Sequence, residues 1–161
     1  MEAFGYKDEL TETQIATQNA LQLIAFSIGE QTYGVEITTV REIRAWNGAT
    51  PLPNTRDYVR GVINLRGTIV PIFDLRARFG EGQTSPTKNH VVVVMSVGEK
   101  WVGMLVDAVS DILTIDKNDI HAVPEGNSAD MDLLKGIVTH DNRMVGLIDL
   151  QAVVSGAKTE A

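Results

Sequence analysis

Apolar residues in this chain come in short blocks separated by breaks rich in glycine, proline and acids, and most blocks read at the two-residue period of a strand. Residues 21–28 are almost continuously apolar, stop at Gly29-Glu30 and resume at residues 32–37, which predicts a hairpin. Residues 40–46 alternate and predict a further strand. Thr50-Pro51-Leu52-Pro53-Asn54 cannot lie inside a sheet, because each proline lacks the N–H a ladder needs; it is a loop. Residues 61–65 and 69–73 flank an Arg66-Gly67 turn and predict a second hairpin. Residues 74–79 read as one or two helical turns closed by Gly80. Asp74 is placed to accept a hydrogen bond from the free N–H groups of the first turn. Residues 81–89 are polar, with Gly, Ser and Pro, and form a connector.

The second half repeats the first. A slide of 69 positions sets Ser27, Gly29, Glu30, Gly34, Val40 and Ile43 on Ser96, Gly98, Glu99, Gly103, Val109 and Ile112, and brings Glu42 onto Asp111. A slide of 75 sets Gly61, Val70, Asp74 and Leu75 on Gly136, Val145, Asp149 and Leu150. The matches are turn glycines, buried β-type residues and the capping acid, the positions that packing and turn geometry constrain. The expected organisation is an arm at residues 1–19, a first barrel at 20–80, a connector at 81–89, a second barrel at 90–155 and a tail at 156–161. Five strands bury their apolar face best by curling closed, and two units this small should pack on each other. Around Val102, Met104 and Val106 both strand faces are apolar. One face should fill a barrel; the other should meet the sister barrel or a partner.

Composition narrows the function. The formal net charge of -7 disfavours a nucleic-acid backbone as partner. There is no cysteine, so disulfides, thiolate metal sites and cysteine nucleophiles are excluded, and a reducing cytoplasm is expected. The N-terminus lacks a signal-peptide pattern, and the apolar stretches are too short to insert in a bilayer. His90, His121 and His140 have no second histidine or clustered carboxylate at ligand spacing, so no metal is expected. Ser27 and Ser96 lie within strands, and no G-x-S-x-G elbow, Walker or G-x-G-x-x-G pattern occurs. Asp74 and Asp149 could be offered as an acid pair, but their equivalence ahead of short helices favours capping. No catalytic constellation and no cofactor are expected. The repeat fails at Asn64-Leu65-Arg66-Gly67, which meets Thr139-His140-Asp141-Asn142. Only the first unit has an arginine at that turn, so Arg66 is not needed merely to build a barrel. Arginine suits forked pairing with carboxylates and is enriched at interface hot spots.

These residues resemble the CheW-like coupling proteins of bacterial chemotaxis. The likeness is carried by Phe26-Ser27-Ile28-Gly29 with Tyr33-Gly34-Val35, and by Val40-Arg41-Glu42-Ile43. It is carried most specifically by the run from Gly61-Val62-Ile63-Asn64-Leu65-Arg66-Gly67 through Pro71-Ile72-Phe73-Asp74-Leu75, and again by Val102 to Asp111. It covers about residues 20–155. The resemblance implies an all-β fold of two packed SH3-like five-stranded barrels with short terminal helices and no enzymatic activity. It implies two partners: the regulatory domain of a CheA-type histidine kinase at exposed barrel ends, and the cytoplasmic tip of a methyl-accepting chemoreceptor in the groove between the barrels. A second type of contact helps close mixed rings in the family. The protein would then work in the cytoplasm, recruited to the inner face of the membrane by receptors. By the same resemblance Glu42, Ile43, Gly61, Asn64, Arg66, Gly67, Val102 and Gly103 are the protein-binding positions, and Glu42 and Arg66 could pair. Rival readings are an adaptor of this fold in another kinase pathway, or a small ligand-binding or hydrolytic β protein, which would need a polar pocket of convergent titratable groups.

Overall fold

The computed structural model describes residues 19–124 and 132–155; residues 1–18 of the expected arm and the expected tail lie outside the described residues. In chain order the strands are β1 (Ala20–Ile28), β2 (Gln31–Glu36), β3 (Val40–Ala45), β4 (Val59–Leu65), β5 (Thr68–Asp74), β6 (Val91–Val97), β7 (Lys100–Val106), β8 (Ala108–Asp116), β9 (Leu134–His140) and β10 (Arg143–Ile148). Short helices α1 (Leu75–Arg78) and α2 (Leu150–Val154) follow β5 and β10. Both start as expected. Asp74 accepts from the Ala77 N–H at 3.3 Å, and Asp149 from the Ala152 N–H at 3.2 Å.

The strands form two five-stranded sheets, β8-β1-β2-β10-β9 and β3-β6-β7-β5-β4. Replacing each strand by its repeat equivalent turns one order into the other, so the repeat is a structural one. The expected boundaries of the barrels are corrected, however. Neither 20–80 nor 90–155 makes a barrel of its own. Each half contributes its first hairpin to one sheet and its last three strands to the other, and the halves are stitched by parallel pairing of β10 with β2 and of β5 with β7. The cause is local. After β2 a single 3-10 turn, Ile37–Thr39, leads the chain into β3, whose partner is β6 of the other half. The residues after the outer strands close each sheet. Thr50 bridges Val62 on β4, and His121 bridges Ile137 on β9.

Exchange explains why strand faces are apolar on both sides. In β1, Leu23 and Ala25 fill the first barrel with Leu113, Ile115, Val138, Val145 and Leu147. In β6 and β7, Val92, Val94 and Leu105 fill the second with Leu65, Val70 and Ile72. The alternate residues, including Ile24, Phe26, Phe73, Val93, Met95, Val102, Met104 and Val106, form the largest core, between the barrels. The second face of β7 therefore meets the sister barrel. A seam of this size makes the two barrels one cooperative unit.

Candidate protein-docking site

The resemblance-derived residues separate into a surface group and a buried group. On β3 the register against β6 shifts between Val40 and Glu42, so Arg41 is bulged out. A bulge re-aims the side chains that follow it. Glu42 and Arg44 then lie on one side of the strand, facing the seam where β3 and β4 diverge. On the far side of that seam, Arg66 and Gly67 make the two-residue turn between β4 and β5, with φ of 53° and 92°. The Asn64 side chain accepts from the Gly67 N–H at 2.7 Å and fixes the turn. Arg66 Nη2 donates to Glu42 Oε1 at 2.9 Å, and Arg44 Nη1 to Glu42 Oε2 at 3.4 Å. The Arg66 side chain is 69% exposed. An ion pair this open contributes little to stability, so redirecting the guanidinium to a partner's carboxylate costs little. A cavity of about 460 Å³ lies beside the pair, lined by Arg44, Asn47, Gly48, Asn64 and neighbouring backbone.

Ile43 points the other way. Its cross-strand neighbour is Val93, a member of the inter-barrel core, and Ile43 itself is 43% exposed.

The other three positions do not reach the surface. Val102 is 5% exposed within the inter-barrel core. Gly103 lines the second barrel, where an added Cβ would lie 2.6 Å from Ile72 Cδ1 and 2.9 Å from Val92 Cγ1. Gly61 is buried, with φ of 135°, and an added Cβ would lie 2.1 Å from the Thr50 carbonyl oxygen. Their burial gives them a part in packing and barrel closure.

The asymmetry argued for Arg66 is also corrected. In the other barrel, Arg143 Nη2 stands 3.7 Å from Asp111, the repeat equivalent of Glu42. The acid–arginine pair is thus present twice, with the second arginine moved across its turn: the slide of 75 sets Arg143 on Thr68, not on Arg66. Exposed apolar residues recur as well. Ile43 and Ile69 are 43% and 59% exposed, and their equivalents Ile112 and Met144 are 54% and 64%. Sequence reasoning missed Arg143 and Met144, although the slide that aligned the last hairpins already placed both.

A polar cluster outside this site tests the enzyme reading. Asp107 Oδ2 accepts from the Gly29 N–H at 2.7 Å and from Arg76 at 3.1 Å, while His90 Nε2 lies 3.5 Å from Asp107 Oδ1. His90 Nδ1 in turn accepts from the Thr87 N–H at 3.0 Å. The Thr87 hydroxyl also stands 3.2 Å from His90 Nδ1 and accepts from the Asn89 N–H at 3.1 Å, so these groups bond to one another and tie the two sheets together as a clamp. Among the described residues no group of three or more His, Asp or Glu is placed to hold a metal ion. No described helix is long and apolar enough to cross a membrane.

Comparison with known proteins decides the family: the CheW-like domain model matches residues 22–158. The chain belongs to the CheW-like family. The probable chemotaxis protein CheW of Rhizobium etli is 48% identical over 145 residues, covering 89% of this chain and 94% of the relative. The chemotaxis protein CheW of Rhizobium meliloti is 43% identical, covering 90% and 94%. The crystal structure of the scaffolding protein TtCheW from Thermoanaerobacter tengcongensis superimposes with a TM-score of 0.78 at 32% identity, covering 86% of this chain and 92% of that one. CheW-like proteins are scaffolds of chemotaxis and not enzymes.

Proposed function

We propose that this protein couples transmembrane chemoreceptors to a CheA-type histidine kinase, holding both so that receptor occupancy controls kinase autophosphorylation. The observation that carries this reading is the Glu42–Arg66 pair, which joins β3 to the β4–β5 turn and leaves the Arg66 guanidinium open to solvent beside a cavity. Asn64 and Gly67 hold the turn, Arg66 and Glu42 supply the charged contact, and the kinase regulatory domain docks at this barrel end. Ile43 contributes to the receptor-tip contact at the groove between the barrels. Gly61, Val102 and Gly103 act indirectly, by keeping the barrels closed and packed. The repeated pair Asp111–Arg143, with Ile112 and Met144 near it, gives the second barrel a face for the further contact that closes mixed rings. The protein acts on the cytoplasmic side of the membrane, where receptors recruit it.

Coupling of this kind is binding linkage. A scaffold changes kinase output only if its contacts differ in energy between the kinase's active and inactive states, and about 1–3 kcal/mol suffices. The test is calorimetric titration of Arg66→Ala (R66A) against the kinase regulatory domain and, separately, a receptor cytoplasmic fragment. The substitution should leave the fold intact and weaken kinase-domain binding about tenfold or more, the signature of a hot spot. Unchanged affinity for both partners refutes the assignment.

A further inference from the structure

We infer that Asn47 is a site of spontaneous covalent modification: its side-chain amide is lost by succinimide formation with Gly48, which converts a neutral residue at the rim of the docking cavity into a carboxylate. Asn47-Gly48 is the one Asn-Gly step in the chain. Ring closure needs the backbone nitrogen of the following residue to reach the asparagine Cγ, and a following side chain obstructs that approach. Gly48 carries no such side chain, and the space around it is open. Gly48 has φ of 90°, and a Cβ built there would meet no atom within 4 Å.

The surrounding chain isolates these two residues. Trp46 N donates to the His90 carbonyl at 2.9 Å, and Thr50 N to the Val62 carbonyl at 2.8 Å, so the backbone is fixed on both sides. Trp46 and Ala49 pack against the second barrel's core, while Asn47 and Gly48 between them are exposed and in no regular element. Among the described residues the Gly48 N–H has no hydrogen-bond partner to hold it away from the side chain. Asn54, Asn64, Asn89, Asn118 and Asn142 each precede a residue with a side chain, and Asn64 has its amide oxygen committed to the Gly67 N–H.

The chemistry balances without a cofactor. The deprotonated Gly48 nitrogen attacks Asn47 Cγ, a C–N bond forms, and ammonia leaves with the proton. Water then opens the imide at one of its two carbonyls. The product is aspartate or isoaspartate, the net change being hydrolysis of one amide to one acid. Asn47 and Arg44 line the same cavity. Arg44 already donates to Glu42, so a carboxylate at position 47 competes for it and adds negative charge beside the Glu42–Arg66 pair. The effect on docking rests on the function proposed above; the chemistry does not.

The experiment ages the full-length chain in mildly alkaline buffer and maps its peptides by mass spectrometry, with fragmentation to separate Asn47 from Asn54. The expected result is the mass gain of one amide-to-acid exchange at Asn47, as paired aspartate and isoaspartate forms, faster than at any other described asparagine. Asn47→Gln (N47Q), which keeps the amide but must close a larger ring, should abolish it. An intact Asn47 in aged protein, or conversion no faster than at Asn54, overturns the inference. Titration of Asn47→Asp (N47D) against the kinase regulatory domain should then show binding weakened several-fold relative to the wild type. If the unmodified chain fails to bind that domain, the functional reading falls while the peptide map still decides the chemistry.

Discussion

Replacing Gly61 with alanine (G61A) should destabilise the whole domain, because the position closes a barrel. The added Cβ would stand 2.1 Å from the Thr50 oxygen, 2.6 Å from the Thr50 carbonyl carbon and 2.9 Å from Pro51 Cα. All three are backbone atoms, so no rotamer change relieves the clash. The chain around Thr50 must retreat, and with it go the Thr50 N–H to Val62 and Val62 N–H to Thr50 hydrogen bonds, both 2.8 Å, that close β4. Two such bonds are worth about 1 kcal/mol each, and holding a non-glycine residue in a disfavoured backbone region costs about 1–3 kcal/mol. The expected loss is therefore roughly 3–5 kcal/mol, a large part of the ~5–15 kcal/mol a domain has. At about 2–4 °C per kcal/mol for a chain of this size, the melting midpoint should fall by ~10 °C. Urea unfolding followed by circular dichroism measures the loss directly. A variant as stable as the wild type within about 0.5 kcal/mol, yet unable to bind kinase, would refute the reasoning and return Gly61 to the binding surface.

Other substitutions separate the same roles elsewhere. Val102→Ala (V102A) should lower stability on the order of 2 kcal/mol by opening a void in the inter-barrel core, with unchanged kinase affinity once the folded fraction is allowed for, as chemical denaturation and titration of one preparation will show. Thr84→Val (T84V) removes a buried hydroxyl that donates to Asp74 Oδ1 at 2.7 Å; it should cost about 1–3 kcal/mol and speed amide exchange in the connector. In a double-mutant cycle on folding stability, Glu42→Ala and Arg66→Ala should couple by less than about 1 kcal/mol, since the Arg66 side chain is largely exposed. Raising the salt concentration should weaken kinase-domain binding more for the wild type than for R66A, which calorimetry at two ionic strengths will read.

What the sequence made legible was what short-range chemistry dictates. Apolar blocks set the strands, prolines excluded residues 51–53 from a sheet, and Asp74 and Asp149 marked the helix starts. Exchange of hairpins between the halves was not legible, since a buried Ile24 or Val93 looks the same whichever sheet it joins. The burial of Val102 and Gly103 was not legible, because motif matching registers that a residue is constrained without saying what constrains it. Arg143 was overlooked because its reach to Asp111 depends on a side chain crossing a turn, which position-by-position comparison of repeats does not encode. The clamp of Gly29, Arg76, His90 and Asp107 joins residues up to 78 positions apart, beyond any local pattern.

Coupling itself is most directly tested by reconstituting kinase autophosphorylation from purified kinase and receptor cytoplasmic assemblies held in opposing signalling states, with and without this chain. The kinase rate should follow receptor state only when the chain is present, and R66A should abolish most of that dependence. A rate that tracks receptor state equally well without the chain, or ignores receptor state with it, contradicts the account.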